Sequence, residues 1–194
     1  SIPPSPVADT AVYACFGDTS IELTANADIA TTDSLLTTMA AGNGSEGNMF
    51  VLEAIQETTI QDFAVNMNAV PGVGDISIWY RTDDYLTVPG ANTSDAGWIL
   101  VGTATGVASQ FPNYTDIPVP VNITIPAGER YSFHIHCTGG VAYTNGTGLG
   151  NVFASNASFN FIEGHGGAPA FSCTFQPRVF NGLIRFEATE SIDI

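Results

Sequence analysis

Two histidines separated by one residue are the first candidates for chemistry. His134 and His136 fall in a run with strand periodicity, so both imidazoles should project from one face of a strand. They could share a metal ion, with Glu163 and His165 as conceivable further ligands. The run continues Cys-Thr-Gly-Gly-Val, without the Glu that a cupin would place after its second histidine. The favoured interpretation is two exposed histidines beside polar neighbours, and we predict no metal and no cofactor.

An acidic and aromatic segment is the second candidate. Carboxylates and loop carbonyls could bind Ca²⁺, and exposed rings could stack on sugars, as in carbohydrate-binding sandwiches. The alternative is that Trp79 and Trp98 pack against a sheet while solvated Asp residues form turns, and it is favoured because no EF-hand or repeat spacing is present. The residues concerned are Trp79, Tyr80, Asp83, Asp84, Tyr85, Asp95 and Trp98.

Nucleophilic and hydrolytic catalysis find no support in the sequence. No Ser/His/Asp or Cys/His arrangement stands in a recognisable context. No two carboxylates stand out as a glycosidase pair either. We therefore predict that the protein is not an enzyme.

Six Asn-x-Ser/Thr sequons suggest a glycosylated surface, although a Thr-rich β protein also produces sequons by chance. Four fall in predicted turns, and one falls on the solvent face of a predicted edge strand. The six are Asn43, Asn92, Asn113 and Asn145 in turns, Asn122 on the strand, and Asn156.

Three cysteines without a CxxC motif argue against a zinc module. Cys137 and Cys173 both fall on apolar alternation faces, so they are the predicted disulfide pair, leaving Cys15 over. Three buried thiols are the alternative.

The charge balance excludes several partners. Nineteen Asp and Glu stand against four Arg and no Lys, a formal net charge of -15. Nucleic acid and anionic membrane surfaces both require cations that this chain lacks. No apolar run approaches the length of a membrane-spanning helix, so no membrane insertion is expected. Self-assembly must then depend on short-range apolar burial or strand pairing.

The elements that position these residues are predicted to be strands. From about Ser34 onward, alternating apolar runs are bounded by Gly, Pro, Asn or Asp, which indicates about ten strands in an antiparallel two-sheet sandwich of jelly-roll type. Ile117 to Thr124 contains two prolines and should be an edge strand. Asp28 to Met39 is the one weakly helical window. We predict an extended N-terminal segment (residues 1–33) and a sandwich domain (residues 34–194).

From about Thr37 to Ala188 the chain resembles an uncharacterised module that recurs in secreted bacterial surface proteins. This resemblance implies a jelly-roll-like sandwich and an extracellular, cell-surface location, and it carries over no catalytic residue. The matching segments are Ala41-Gly-Asn43, Gly47-Asn-Met-Phe50, Phe63-Ala-Val-Asn66, the Trp98 strand, Ile125-Pro-Ala-Gly-Glu-Arg-Tyr-Ser-Phe133, Tyr143-Thr-Asn-Gly146, Glu163-Gly164 and Pro177-Arg-Val-Phe-Asn-Gly182.

The N-terminal segment motivates the functional hypothesis. Residues 11–24 offer strand-like runs after a Pro-rich lead, so they could add a strand to the next subunit and build a filament. The donor side chains would be Val12, Tyr13, Ala14, Cys15 and Phe16. The alternative places residues 11–24 in their own domain as its first strands. The competing function is a carbohydrate-binding or adhesion module using Trp79, Tyr85 and Trp98.

Overall fold

The described chain is built from strands that form two antiparallel sheets, as predicted. The computed structural model describes residues 26–67 and 72–193. The five-stranded sheet contains β1 (Asn26–Leu36), β3 (Thr58–Val65), β6 (Thr115–Asp116), β7 (Ile123–Ile125) and β12 (Gly182–Asp193). The seven-stranded sheet contains β2 (Asn43–Ala54), β4 (Val73–Arg81), β5 (Ile99–Ala108), β8 (Arg130–Asn145), β9 (Val152–Ser155), β10 (Phe159–Gly167) and β11 (Phe175–Phe180).

The strand order leaves sequence neighbours apart in space. The five-stranded sheet has the order β1-β12-β3-β6, and β7 also pairs with β3. The seven-stranded sheet has the order β11-β10-β2-β8-β4-β5, with β9 on β10 and an additional β11–β8 pairing. A 3-10 turn at Tyr85–Thr87 lies between β4 and β5. Over the two described ranges, no helix is long and apolar enough to cross a membrane.

The main hydrophobic core lies between the two sheets and follows the predicted alternation. Phe133, Ile135 and Cys137 of β8 all point into it, as do Ile76 and Ile78 of β4. Because successive side chains of a strand point to opposite faces, His134 and His136 fall on the outer face of the same sheet.

A second apolar cluster covers that outer face, and we call it the outer-face cluster. β2 shows the reason for it: Phe50 and Leu52 enter the main core, whereas Met49 and Val51 point outward and are also fully buried. Two loops, residues 82–98 and 168–174, cover them. The members are Met49, Val51, Tyr85, Ala91, Trp98, Ile162 and Cys173, with Trp79, Leu86, Val88 and Phe171 packed around them.

Two sequence predictions about backbone structure need correction. The weakly helical window is strand β1, which pairs with β12 at eleven consecutive positions from Asn26↔Asp193 to Leu36↔Leu183. The described part of the sheet therefore begins at Asn26, eight residues before the predicted start of the sandwich domain at Ser34. Tertiary pairing with β12 overrides the weak local preference of these residues.

The proline-containing segment follows the edge of β3 without forming a regular strand until β7 begins. Ile117, Val119 and Val121 are buried, and the intervening Pro118 and Pro120 are exposed, as the alternation predicts. The amides of Ile117 and Val121 donate to β3 carbonyls at 3.0 and 2.8 Å. Between these two bonds, Val119 donates its amide to the carbonyl of Ile117 at 2.7 Å and not to β3, so the ladder is interrupted there.

Candidate functional site

His134 lies at the centre of the outer-face cluster. Its side chain is fully buried, so the prediction of an exposed histidine is wrong. Trp79 stacks on the imidazole with 5.3 Å between ring centroids, and Phe171 and Trp98 meet it edge-on at 4.9 and 5.9 Å. Among the described side chains, Cys173 makes the one polar contact with this ring, with its Sγ 3.8 Å from Nε2. Nδ1 is buried and has no hydrogen-bond partner in the described part of the chain.

Burial keeps both members of the His134–Cys173 contact uncharged. Desolvation, followed by the neighbouring charge of His136, lowers the pKa of His134 to about 3. Desolvation raises the pKa of Cys173 to about 12. A catalytic Cys–His pair needs a thiolate, which a lowered cysteine pKa supplies. This contact has the opposite electrostatics, and we interpret it as packing.

The four residues considered as possible metal ligands make separate contacts and do not converge on one point. His136 Nε2 lies 3.3 Å from a carboxylate oxygen of Glu46 at the edge of the cluster. His165 Nδ1 lies 2.8 Å from the hydroxyl of Tyr85, and burial lowers the pKa of this histidine. Within residues 26–67 and 72–193, no three His, Cys, Asp or Glu side chains are arranged to hold a metal ion.

Glu163 holds the loop between β8 and β9. Its carboxylate is fully buried and accepts hydrogen bonds from the amide and hydroxyl of Thr147 and from the amide of Gly148, at 2.8 to 3.0 Å. Gly146 leaves the space that this carboxylate occupies, since a Cβ there would collide with Glu163. The residue is therefore a loop anchor.

We expect Glu163→Gln to lower the free energy of unfolding by about 1–3 kcal/mol, because the new amide group would direct N–H donors at the donors of Thr147 and Gly148. Chemical denaturation measures the loss, and amide exchange at Thr147 and Gly148 should accelerate. Glu187→Gln, at an exposed position of β12, is the control and should change little. Equal stability of both variants would contradict the anchoring role.

The acidic and aromatic segment forms a loop in which Asp83 and Asp84 contact arginines, whereas Asp95 is exposed. Asp83 binds the buried Arg81 through two oxygens at 2.7 and 2.9 Å, which lowers the pKa of that carboxyl. Asp84 accepts from the amide of Leu86 and lies 3.1 Å from Arg130. These contacts support the interpretation of the Asp residues as turn formers.

The rings of this segment are largely covered. Tyr85 is 1% exposed and Trp98 is 9% exposed, and the indole Nε1 of Trp98 donates to the carbonyl of Ala91 at 2.9 Å. Trp79 is half-buried against the sheet. Two of the three rings predicted to stack on sugars are therefore inside the outer-face cluster.

The predicted disulfide between Cys137 and Cys173 is wrong. Both are free thiols, and they lie on opposite faces of the seven-stranded sheet, Cys137 in the main core and Cys173 in the outer-face cluster. The alternation of side chains correctly predicted that each cysteine lies on an apolar face. The seven-stranded sheet is buried on both faces, however, so the two cysteines are on different ones. Cys15 lies outside the described residues.

The sequons differ in accessibility. Asn113, Asn122 and Asn145 are exposed. Asn43 is half-buried, and its Nδ2 donates to Asn145 at 2.9 Å. Asn92 donates its Nδ2 to the carbonyl of Cys173 at 2.8 Å, which joins the two loops over the outer-face cluster.

The side chain of Asn156 is used locally. Its Oδ1 accepts from the amides of Ser158 and Phe159, both at 2.9 Å, in the turn before β10. The predicted donor side chains Val12, Tyr13, Ala14, Cys15 and Phe16 lie outside the described residues.

Sequence comparison with known families and curated proteins yields no match. No family model matches the chain, and no curated protein sequence matches it. The resemblance to a module of bacterial surface proteins thus remains a prediction from the quoted motifs.

Proposed function

We propose that this protein is the structural protomer of an extracellular filament or surface assembly, in which residues 11–16 of one subunit add a strand to the next. The role is mechanical, and the linkage consists of main-chain hydrogen bonds together with side chains from Val12 to Phe16. The subunit partner is a second copy of the same chain.

One observation carries this proposal: β1 and β12 continue to pair beyond the body of the sandwich. β12 pairs with β3 only as far as Ala188, whereas its pairing with β1 runs on for five further positions, from Thr189↔Ala30 to Asp193↔Asn26. The residues that precede Asn26 in the sequence are therefore attached to the end of this two-stranded pairing. Among the described residues, both sheets form from strands that lie between Asn26 and Asp193.

The surface chemistry supports an extracellular setting. Charged residues make up only 12% of the chain, and the net charge is -15. Three sequons with exposed side chains, Asn113, Asn122 and Asn145, are the positions at which we propose glycans. Such a surface disfavours non-specific contacts and leaves strand pairing as the route to assembly.

Deletion of residues 1–24 tests the proposal. The truncated chain is expected to stay monomeric in light scattering under conditions in which the full chain polymerises, because the donor is gone and β1 is intact. Deletion of residues 1–10 is the matched control, since it leaves residues 11–24 in place and should preserve polymerisation. Circular dichroism verifies folding. Polymerisation of the chain that lacks residues 1–24 would rule out strand donation by this segment.

A further inference from the structure

We infer that the acceptor for the donated strand is the free edge of β5, so that residues 11–16 of a second copy become the next strand of the seven-stranded sheet. This inference rests on the proposed function and adds the surface at which it operates.

β5 has the properties of an open edge. It is the last strand in its sheet and pairs with β4 from Val73↔Ala108 to Tyr80↔Ile99. Among the described residues, β4 is its sole strand partner, and no loop forms a backbone hydrogen bond with residues 99–108. About half of the residues of β5 present N–H and C=O groups on its outer side, where another strand could pair, and the amide of Gly106 already donates to Asp75 Oδ1 at 2.9 Å.

The sequence of β5 lacks the charges and prolines that protect many edge strands, although its register with β4 shifts twice, between Gly74 and Ile76 and between Ile78 and Trp79. Its sequence, Ile-Leu-Val-Gly-Thr-Ala-Thr-Gly-Val-Ala, contains no charge and no proline. Ile99 and Leu100 are 50% and 52% exposed, and Val73, opposite the other end of β5, is 65% exposed. Natural proteins place charges, prolines or bulges at edges that must stay unpaired. A long, uncharged and partly apolar edge indicates a surface that pairs.

Other edge strands of the described chain contain charges or prolines, or are short, as β9 is with four residues. β1 includes Asp28 and Asp33. β11 contains Pro177 and Arg178. On the far side of β3, β6 and β7 have two and three residues, and prolines occur in the segment between them. With a net charge of -15, two copies pair most readily where neither contributes a carboxylate.

The donor segment is matched to this edge. Residues 11–16, Ala-Val-Tyr-Ala-Cys-Phe, carry no charge and no proline. Six residues span about 20 Å as a strand, within the roughly 33 Å of β5. One set of alternating side chains would face the exposed rim of the main core, and the other would face Leu100 and Trp79, which are opposite each other across β4 and β5.

The fold favours a donor from a second copy. β1 is at one end of the five-stranded sheet, and the other end of that sheet lies beside β5, since a Cβ added to Gly102 of β5 would lie 2.9 Å from Val119 Cγ1. Residues 1–25 therefore join the sandwich at the edge remote from β5. We therefore assign the donor to a second copy and not to the same chain.

A charge on each edge tests the assignment. Thr105→Lys places a lysine on the β5 edge, and Thr32→Lys is the matched control on the β1 edge; both positions are exposed. Thr105→Lys is expected to raise the concentration needed for polymerisation roughly tenfold or more, and Thr32→Lys is not. The reverse result would move the acceptor to β1 and leave strand donation intact. Polymerisation after deletion of residues 1–24 would instead remove both proposals.

Disulfide trapping gives a direct readout in the full chain. Cys137 and Cys173 are buried, so a thiol introduced by Thr103→Cys or Thr105→Cys can be paired with Cys15 under mild oxidation. A ladder of linked chains on a non-reducing gel, with the Cys15 peptide joined to a β5 peptide by mass spectrometry, is expected from one of the two. A disulfide within a single chain, or a ladder with Thr32→Cys but with neither β5 variant, would overturn the inference.

Discussion

Phe50→Ala is expected to lower the free energy of unfolding by about 3–5 kcal/mol. Phe50 is fully buried at the centre of the main core. Four aromatic rings surround it at centroid distances of 4.9 to 6.0 Å, from Phe180, Phe161, Phe63 and Phe133. Truncation removes contacts with strands of both sheets and leaves a cavity that these rings cannot fill without moving.

Denaturant unfolding of the two proteins measures this effect, as a shift in midpoint at an unchanged slope. Phe175→Ala is the matched control, because this ring is 52% exposed and its removal should cost about 1 kcal/mol or less. Similar losses for the two variants would show that Phe50 does not anchor the packing of the two sheets.

The main core was predictable from sequence because its signal is local. A strand turns successive side chains to opposite faces, so the spacing of Phe133, Ile135 and Cys137 identifies the inward face without knowledge of any partner strand. The same rule placed His134 and His136 together on the other face. Alternation alone could not predict whether that outer face is exposed or buried.

The outer-face cluster depends on contacts between residues far apart in sequence. Its cover comes from residues 82–98 and 168–174, whose loops are joined by the Asn92–Cys173 hydrogen bonds. The continuous run Met49-Phe-Val-Leu52 was the available signal, since a strand buried on both faces is apolar at every position. That signal would have predicted a buried His134 and separated the two cysteines.

Strand β1 was missed because edge strands can be polar. Its sequence, Asn-Ala-Asp-Ile-Ala-Thr-Thr-Asp-Ser-Leu-Leu, lacks strict alternation, and β12 is its one partner in the described part of the chain. Pairing at eleven positions supplies main-chain hydrogen bonds that no local pattern reveals.

Acidification is expected to destabilise the protein through His134. The imidazole is neutral in the folded state down to a pKa of about 3, whereas its value in the unfolded chain is close to 6.5. Between these values the unfolded state binds the proton and the folded state does not, so stability falls as pH falls. The loss from His134 is about 1.4 kcal/mol per pH unit, or about 2 kcal/mol between pH 6.5 and pH 5. Above pH 6.5 this contribution disappears.

Comparison of His134→Gln with His136→Gln isolates the loss of stability on acidification that comes from His134. Each protein is referred to its own stability at pH 7, which cancels the packing cost of the substitution. The decline between pH 6.5 and pH 5 is expected to be smaller by about 2 kcal/mol in His134→Gln than in wild type. His136→Gln removes the neighbouring imidazole and should keep the decline, because His134 stays buried between Trp79 and Phe171.

The loss of stability of the wild-type protein on acidification has a second source, since burial also lowers the pKa of His165. The His134→Gln variant therefore retains a residual slope, and replacing both histidines should remove most of it. Carboxylates such as Glu53 and Asp83, whose pKa values are lowered by their hydrogen bonds, contribute mainly below this window. An identical decline in wild type and His134→Gln would mean that the outer-face cluster admits water and that its two loops do not seal the histidine.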